Sequence, residues 1–168
     1  MSGGVDSSVA AALLAERGYQ VVGITMSLAA GASRCRSMES VEYAGRVADR
    51  LGIRFDVADY RDRFHQEVIE PFADAYLSGR TPIPCVVCNQ RFKFRLLRER
   101  GRELGASAVA TGHYARIDTD ARTGGRLLRR ARDRRKDQSY FLFRLGSDQL
   151  EDTLFPVGDL CKDEVREK

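Results

Sequence analysis

The sequence predicts an α/β fold, a doubly wound parallel sheet with a small β-hairpin insertion, and three observations carry that expectation. Apolar runs of strand length alternate with amphipathic stretches of helix length, the pattern of strand–helix–strand units. At the very start, Met1-Ser2-Gly3-Gly4-Val5-Asp6-Ser7-Ser8 sets two glycines directly ahead of a small-residue apolar helix. Backbone without Cβ atoms approaches a ligand closely, and a helix N-terminus offers unpaired N–H donors and the positive dipole end, a phosphate site in outline. Finally, 168 residues with 43% apolar content suffice for one domain with its own core.

Residues 5–14 form the first helix, with Asp6, Ser7 and Ser8 in its opening turn. An ordinary strand-to-helix turn capped by Asp and Ser competes with the phosphate reading, and the Gly-Lys-Ser/Thr ending of a Walker A loop is absent. Gly18 caps the helix, and residues 20–26 read as a buried parallel strand. The carboxyl end of that strand, at Met26, lies where open α/β sheets bind ligands. Residues 28–36 form a small-residue loop, and Ser37 caps a helix over 38–51 with Val41, Ala44, Val47, Ala48 and Leu51 at helical spacing. Gly52 stops this helix ahead of a strand at 53–57. A further amphipathic helix spans 64–77 and ends at Gly79; its His65 reads as a surface histidine. Pro82 and Pro84 stiffen an extended approach, residues 80–85, to Cys85-Val86-Val87-Cys88. A basic helix over 89–104 ends at Gly105, and a strand at 108–111 presents Gly112 and His113 at its carboxyl end. Residues 114–117 and 127–131 pair as a hairpin around Gly124-Gly125, a short helix starts at Ser147, and another starts near Lys162.

Charge adds a partner class. Residues 116–136 hold nine Arg or Lys against three Asp, a local net of +6 in a chain of net charge +4. Residues 90–102 carry Arg91, Lys93, Arg95, Arg98, Arg100 and Arg102 against Glu99 alone. Two basic segments on a near-neutral body point to a polyanion, while a solvated helix face explains any single charge run equally well. Neither segment shows aromatic interleaving, so structured RNA held through its backbone fits best. No apolar run approaches the roughly 18 residues of a membrane span, and no signal peptide is visible. Four cysteines without an even framework suit a reducing, cytoplasmic setting.

Cys85 and Cys88 stand ahead of a helix, where its dipole and Arg91 favour thiolate. Three readings of this C-x-x-C stay open on spacing: a structural zinc knuckle, a redox pair, and a sulfur-handling nucleophile beside a nucleotide site. For zinc, the remaining candidates Cys35, Cys161, His65 and His113 are unpaired in the sequence.

The opening octet resembles the SGGxDS loop of the ATP-pyrophosphatase (PP-loop) superfamily, whose members cleave ATP between the α and β phosphates. Further motifs narrow the likeness: Gly79-Arg80-Thr81-Pro82-Ile83-Pro84-Cys85, Cys88-Asn89, Lys93-Phe94, Ala110 to Arg116, Lys136 to Leu142, and Phe155-Pro156-Val157-Gly158-Asp159. In order and spacing these are similar to the tRNA-specific 2-thiouridylases over the whole chain. The resemblance implies a Rossmann-like, adenine nucleotide alpha hydrolase-like fold. Residues 1–168 would be one PP-loop ATP-binding catalytic domain, with 113–131 a hairpin excursion and 132–168 the start of a linking region. It also implies a domain incomplete at both ends, since that superfamily runs a strand directly into the loop and this chain begins inside it. That strand would lie between those at 20–26 and 108–111. A fragment of this kind is expected to be inactive by itself.

Carried over residue by residue, the resemblance places Met1, Ser2, Gly3, Gly4, Val5, Asp6, Ser7, Met26 and Gly112 against ATP, with Asp6 also holding Mg2+. Ile83, Pro84 and Cys85 would meet the target base, and His113, Lys136, Asp137 and Gln138 the tRNA. Cys88 would be the nucleophile. The family's second catalytic cysteine, which carries a persulfide and closes a disulfide as sulfur is released, sits further beyond Asp159 than Cys161 does. Ile83 replaces the family's usual Asn between the two prolines, a departure at one polar contact to the flipped uridine. The implied reaction is ATP-dependent 2-thiolation of the wobble uridine, with a cysteine desulfurase or sulfur-relay protein as persulfide donor. Two alternatives stand beside it: a non-catalytic ATP- or RNA-binding remnant, and another PP-loop synthetase. An aminating enzyme of the latter kind has no need of paired thiols.

Overall fold

Helix α1 (Val5–Glu16) buries Val9, Ala10, Ala11, Leu13 and Leu14, so its small apolar residues pack on more than one side. Gly18, at φ +81°, turns the chain into strand β1 (Val22–Ser27). Helix α2 (Met38–Leu51) is the crossover to β2 (Arg54–Asp59), which pairs with β1 in parallel from Val22↔Arg54 to Ser27↔Asp59. The computed structural model describes residues 1–28 and 38–168. The expected small-residue loop beyond Leu28, the Ser37 cap and Cys35 lie outside the described residues.

The next helical run begins earlier than the apolar periodicity suggests. The Asp59 carboxylate accepts the Arg61 N–H at 3.1 Å and starts α3 (Arg61–Phe64). A π-helical turn, His65–Ile69, then leads to α4 (Glu70–Leu77). Pro71 explains the widened turn, because it lacks the N–H that a regular helix would place on Glu67. The approach to the cysteines also differs from expectation. Only residues up to Ile83 are non-helical; Pro84 opens α5 (Pro84–Val87), followed by a π-helical Cys88–Leu96 and α6 (Leu97–Glu103). Proline at the first helical position costs no hydrogen bond and pre-sets φ, so the second proline starts a helix instead of prolonging the loop.

Strand β3 (Val109–Ala110) precedes the hairpin, in which β4 (Ala115–Thr119) and β5 (Arg126–Arg130) pair antiparallel from Ala115↔Arg130 to Thr119↔Arg126. After a 3-10 turn, Ser139–Leu142, come α7 (Ser147–Glu151), β6 (Thr153–Leu154) and α8 (Lys162–Glu167). Strand β6 pairs with β3 in parallel, and its two residues are too few to leave a periodic signal.

The class is α/β, as expected. Among the described residues, however, the parallel strands form two separate pairs, β1–β2 and β3–β6, and not one continuous sheet. Between β1 and β3 runs a cavity of about 930 Å³, walled by Val22 and Ile24, by Ala108 and Ala110, and by Ala11 and Leu14 of α1. Two cores flank it. Val9, Ala10 and Leu13 pack with Tyr114, Ala131, Val157 and Val165 on one side, and Met26, Phe64, Val68, Phe92 and Leu96 pack together on the other. No described helix is long and apolar enough to cross a membrane.

Gly158 closes the first core, since a Cβ there would lie 1.8 Å from the Ala115 carbonyl oxygen. Gly158→Ala is expected to cost about 3 kcal/mol, the upper end for overpacking, read from the urea midpoint. Gly125→Ala, where the nearest atom is a flexible Thr123 hydroxyl at 3.3 Å, should cost far less.

Candidate functional site

The phosphate-loop candidate is held by backbone contacts that only glycine allows. Gly3 has φ +70°, and a Cβ on it would stand 2.6 Å from the Ser40 carbonyl oxygen of α2. Gly4 is the N-cap of α1, extended at φ −88° and ψ 154°, and no side chain caps the helix. The Ser7 and Ser8 hydroxyls donate to the Gly4 carbonyl at 2.9 and 3.1 Å, leaving the first-turn amides to an external acceptor. Ser7 Oγ also accepts the Ser2 N–H at 3.0 Å and lies 3.0 Å from Ser2 Oγ. The loop is pinned to β1 by the Met1 nitrogen on the Ile24 carbonyl and by the fully buried Thr25, whose hydroxyl donates to the Met1 carbonyl at 2.8 Å. Sequence reasoning missed Thr25, because one polar residue in an apolar strand carries no periodic signal.

Gly112 brings the second half of the chain onto this loop. A Cβ there would lie 2.6 Å from the Asp6 carbonyl carbon and 2.7 Å from the Ser7 nitrogen, so the end of β3 rests directly on the first turn of α1. Asp6 Oδ1 accepts from the Tyr114 hydroxyl at 2.8 Å and from Lys162 Nζ at 2.5 Å. Burial, the hydrogen bond to Asp6 and the Asp6 charge push the Tyr114 phenol well above its usual range. Met1, Ser2, Asp6, Ser7, Met26 and Gly112 all line the cavity, while Gly3, Gly4 and Val5 form the turn behind them.

His113 also lines the cavity, yet it is only 9% exposed. Its ring lies against Phe94 and Phe155, with Nδ1 2.9 Å from Thr111 Oγ1 and Nε2 3.4 Å from Lys93 Nζ. An ammonium only donates, so a neutral ring here accepts on Nε2 and gives its Nδ1 proton to Thr111. His113 therefore faces the cavity.

The two thiols diverge within one helical turn. Cys85, in α5, is exposed; Cys88 packs against the buried cluster of Met26, Phe64 and Phe92. That cluster joins Cys88 to Met26, which reaches the cavity from its other side. Cys85, Cys88 and Cys161 are free thiols, so the structure itself holds no disulfide among them. Among the described residues no group of three or more His, Cys, Asp or Glu could hold a metal; Cys35, one of the zinc candidates, lies outside them. Ile83 and Pro84 form the N-terminal edge of α5 beside Cys85.

Of the expected tRNA contacts at 136–138, only Lys136 is solvent-exposed. Asp137 takes hydrogen bonds from Ala131 N and Arg130 Nε, both at 2.9 Å, and from the Ser139 hydroxyl at 3.1 Å. Burial raises its pKa, but these donors outweigh it and hold the carboxyl below its usual range. Gln138 clasps the Tyr114 backbone in both directions, at 2.8 and 3.0 Å.

The basic helix is the clearest difference from the sequence reading. Arg91 meets Glu67, Arg95 meets Glu99, Arg98 and Arg102 share Asp152, and Arg100 forks onto Asp56 and Glu103. The Arg100 hydrogen bonds hold the Asp56 carboxyl below its usual range. Three of these acids, Asp56, Glu67 and Asp152, lie outside the helix, so counting charge along it could not reveal them.

The family described as the tRNA methyl transferase HUP domain matches residues 1–168. Among curated proteins, the tRNA-specific 2-thiouridylase MnmA of Parvibaculum lavamentivorans is 54% identical over 99% of this chain and 43% of its own length. Those of Koribacter versatilis and Sorangium cellulosum are 49% and 53% identical over 99% of this chain, and 49% and 44% of their own lengths. The chain thus spans a little under half the length of the curated relatives it matches.

The paired arginines make a stability prediction. The Arg98 and Asp152 side chains are only 17% and 18% exposed, and Asp152 Oδ1 already lacks a partner. Arg98→Met is expected to lower unfolding free energy by roughly 1.5–3 kcal/mol, the range for hydrogen bonds to charged groups. Arg95→Met, on the exposed face, should change it by less than about 0.5 kcal/mol. Urea denaturation of the two variants checks both.

Proposed function

The chain belongs to the tRNA methyl transferase HUP-domain family, and from that premise we propose that it is the ATP-binding, thiol-bearing part of a tRNA-uridine 2-sulfurtransferase acting on the wobble uridine. The observation that carries this reading is the meeting at Met26. The phosphate-loop residues Ser2, Asp6 and Ser7 share a cavity with Met26, and Met26 shares a packed cluster with Cys88. An activating nucleotide and a sulfur-handling thiol are thereby set at the carboxyl end of one strand, where open α/β sheets place their chemistry.

A uridine carbonyl oxygen is a poor leaving group, and joining O2 to the α-phosphate of ATP turns it into the good leaving group AMP. The uncapped first-turn amides of α1, with Ser2, Gly3, Gly4 and Ser7, hold the departing pyrophosphate. Asp6 fits a role in holding Mg2+, since Oδ1 is already engaged and no donor among the described residues reaches Oδ2. One carboxylate completed by phosphates and water is an ordinary donor set for that ion, which when bound neutralises charge on the phosphates. The target base leaves its stack to meet Ile83, Pro84 and Cys85 at the start of α5. The terminal sulfur of a persulfide attacks C2, the C2–O2 bond breaks, and AMP departs with that oxygen. The Cys88 thiolate then attacks the inner persulfide sulfur; a disulfide forms, and the bonding pair stays on the sulfur now joined to C2. A cysteine desulfurase or a sulfur-relay protein supplies the persulfide. Lys136 meets tRNA phosphate, Asp137 and Gln138 brace the backbone that presents it, and His113 acts from inside the cavity. A cytoplasmic location goes with this substrate.

In a longer protein that contains this chain and has the activity, Asp6→Ala is expected to abolish tRNA-dependent pyrophosphate release while tRNA still binds in a filter assay; release at the parent rate would overturn the loop assignment. Cys88→Ser should still release pyrophosphate in a single turnover and should transfer no labelled sulfur. Label appearing in tRNA with that variant would remove Cys88 from the role of nucleophile.

A further inference from the structure

Lys162 stands 156 residues from Asp6 in sequence, yet its ammonium is 2.5 Å from Asp6 Oδ1 and its side chain is only 15% exposed. The contact is built from several sides. The Lys162 backbone N–H donates to Oδ2 of Asp133 at 3.1 Å, and Asp133 is 5% exposed. Val157 and Val165, both fully buried, seat the flanking chain against Val9 and Leu13 of α1. The ammonium lies 5.7 Å from the centre of the Tyr114 ring, whose hydroxyl donates to the same Asp6 oxygen. Asp6 lines the cavity, whereas Lys162 and Tyr114 do not, so both approach the carboxylate from outside it.

We propose that Lys162 is a positioning residue for the phosphate site: with Tyr114 it fixes Asp6 through Oδ1 and so leaves Oδ2 to a phosphate-bound divalent cation. This rests on the ATP reading of the loop and extends it to the segment 155–165. A carboxylate free to rotate offers a cation two equivalent oxygens and loses that freedom on binding. One whose first oxygen is already held by an ammonium and a phenol has lost it beforehand. Partners that hold a metal ligand in this way are typically worth about 10–100-fold in metal affinity. The arrangement also makes the start of α8 a part of the nucleotide site, although nothing in its sequence resembles a phosphate motif.

The test titrates purified protein with α,β-methylene-ATP by calorimetry across a series of Mg2+ concentrations. Lys162→Met should raise the Mg2+ concentration for half-maximal binding about tenfold or more, and Lys162→Arg should recover most of that. In an Asp6→Asn background, Lys162→Met should add nothing further. Tyr114→Phe, which removes the other contact to Oδ1, should shift the requirement in the same direction and decides the matter if Lys162→Met does not fold. An unchanged Mg2+ requirement in the folded variants would overturn the proposal. So would a loss of equal size with Asp6→Asn, which would assign the effect to packing alone. A parent protein whose binding of the analogue ignores Mg2+ would instead refute the ATP reading beneath it.

Discussion

The glycine turn and the first turn of α1 are where three distant parts of the chain meet, and the candidate site is arranged by that crowding. Helix α2 presses on Gly3 through the Ser40 carbonyl, and the end of β3 presses on Asp6 and Ser7 through Gly112. The start of α8 reaches Asp6 through Lys162. At two of these contacts a single Cβ would force the elements apart, each being closer than 3.0 Å. Glycine is used here for proximity more than for flexibility, and the reward is a ring of helix amides, hydroxyls and one carboxylate around a single opening.

Electrostatics divides the molecule differently from its charge count. The six cations between residues 90 and 102 are mostly spent on acids from β2, the π-helical turn His65–Ile69 and the end of α7. They tie α6 to its surroundings, so the helix acts as a fastening. Exposed cations outside this helix include Arg134, Lys136 and Arg144. The carboxylate of Asp137 stiffens the chain just behind Lys136.

The C-x-x-C shows how a short motif takes meaning from its secondary structure. In an extended loop both thiols would be free to approach the same atom. In a helical turn begun by Pro84, Cys85 faces solvent while Cys88 enters the cluster of Met26, Phe64 and Phe92. Three residues of helix thereby give the two sulfurs separate surroundings.

The strand–helix alternation, the Gly3-Gly4 turn, the hairpin around Gly124-Gly125 and the grouping of motifs into one family were legible in the sequence by itself. Each rests on local rules: periodicity, missing Cβ atoms, or residue order. Even locally, Pro71 and Pro84 could have warned of the π-helical turn and the early helix start. What only the tertiary structure decided are relations between residues far apart in the chain. These are Thr25 on Met1, Gly112 on Asp6, Lys162 on Asp6, and the acids that consume the basic helix. No local pattern encodes them, because a side chain's partner at 20 to 156 residues' distance depends on how whole elements pack, and packing is a property of the assembled core.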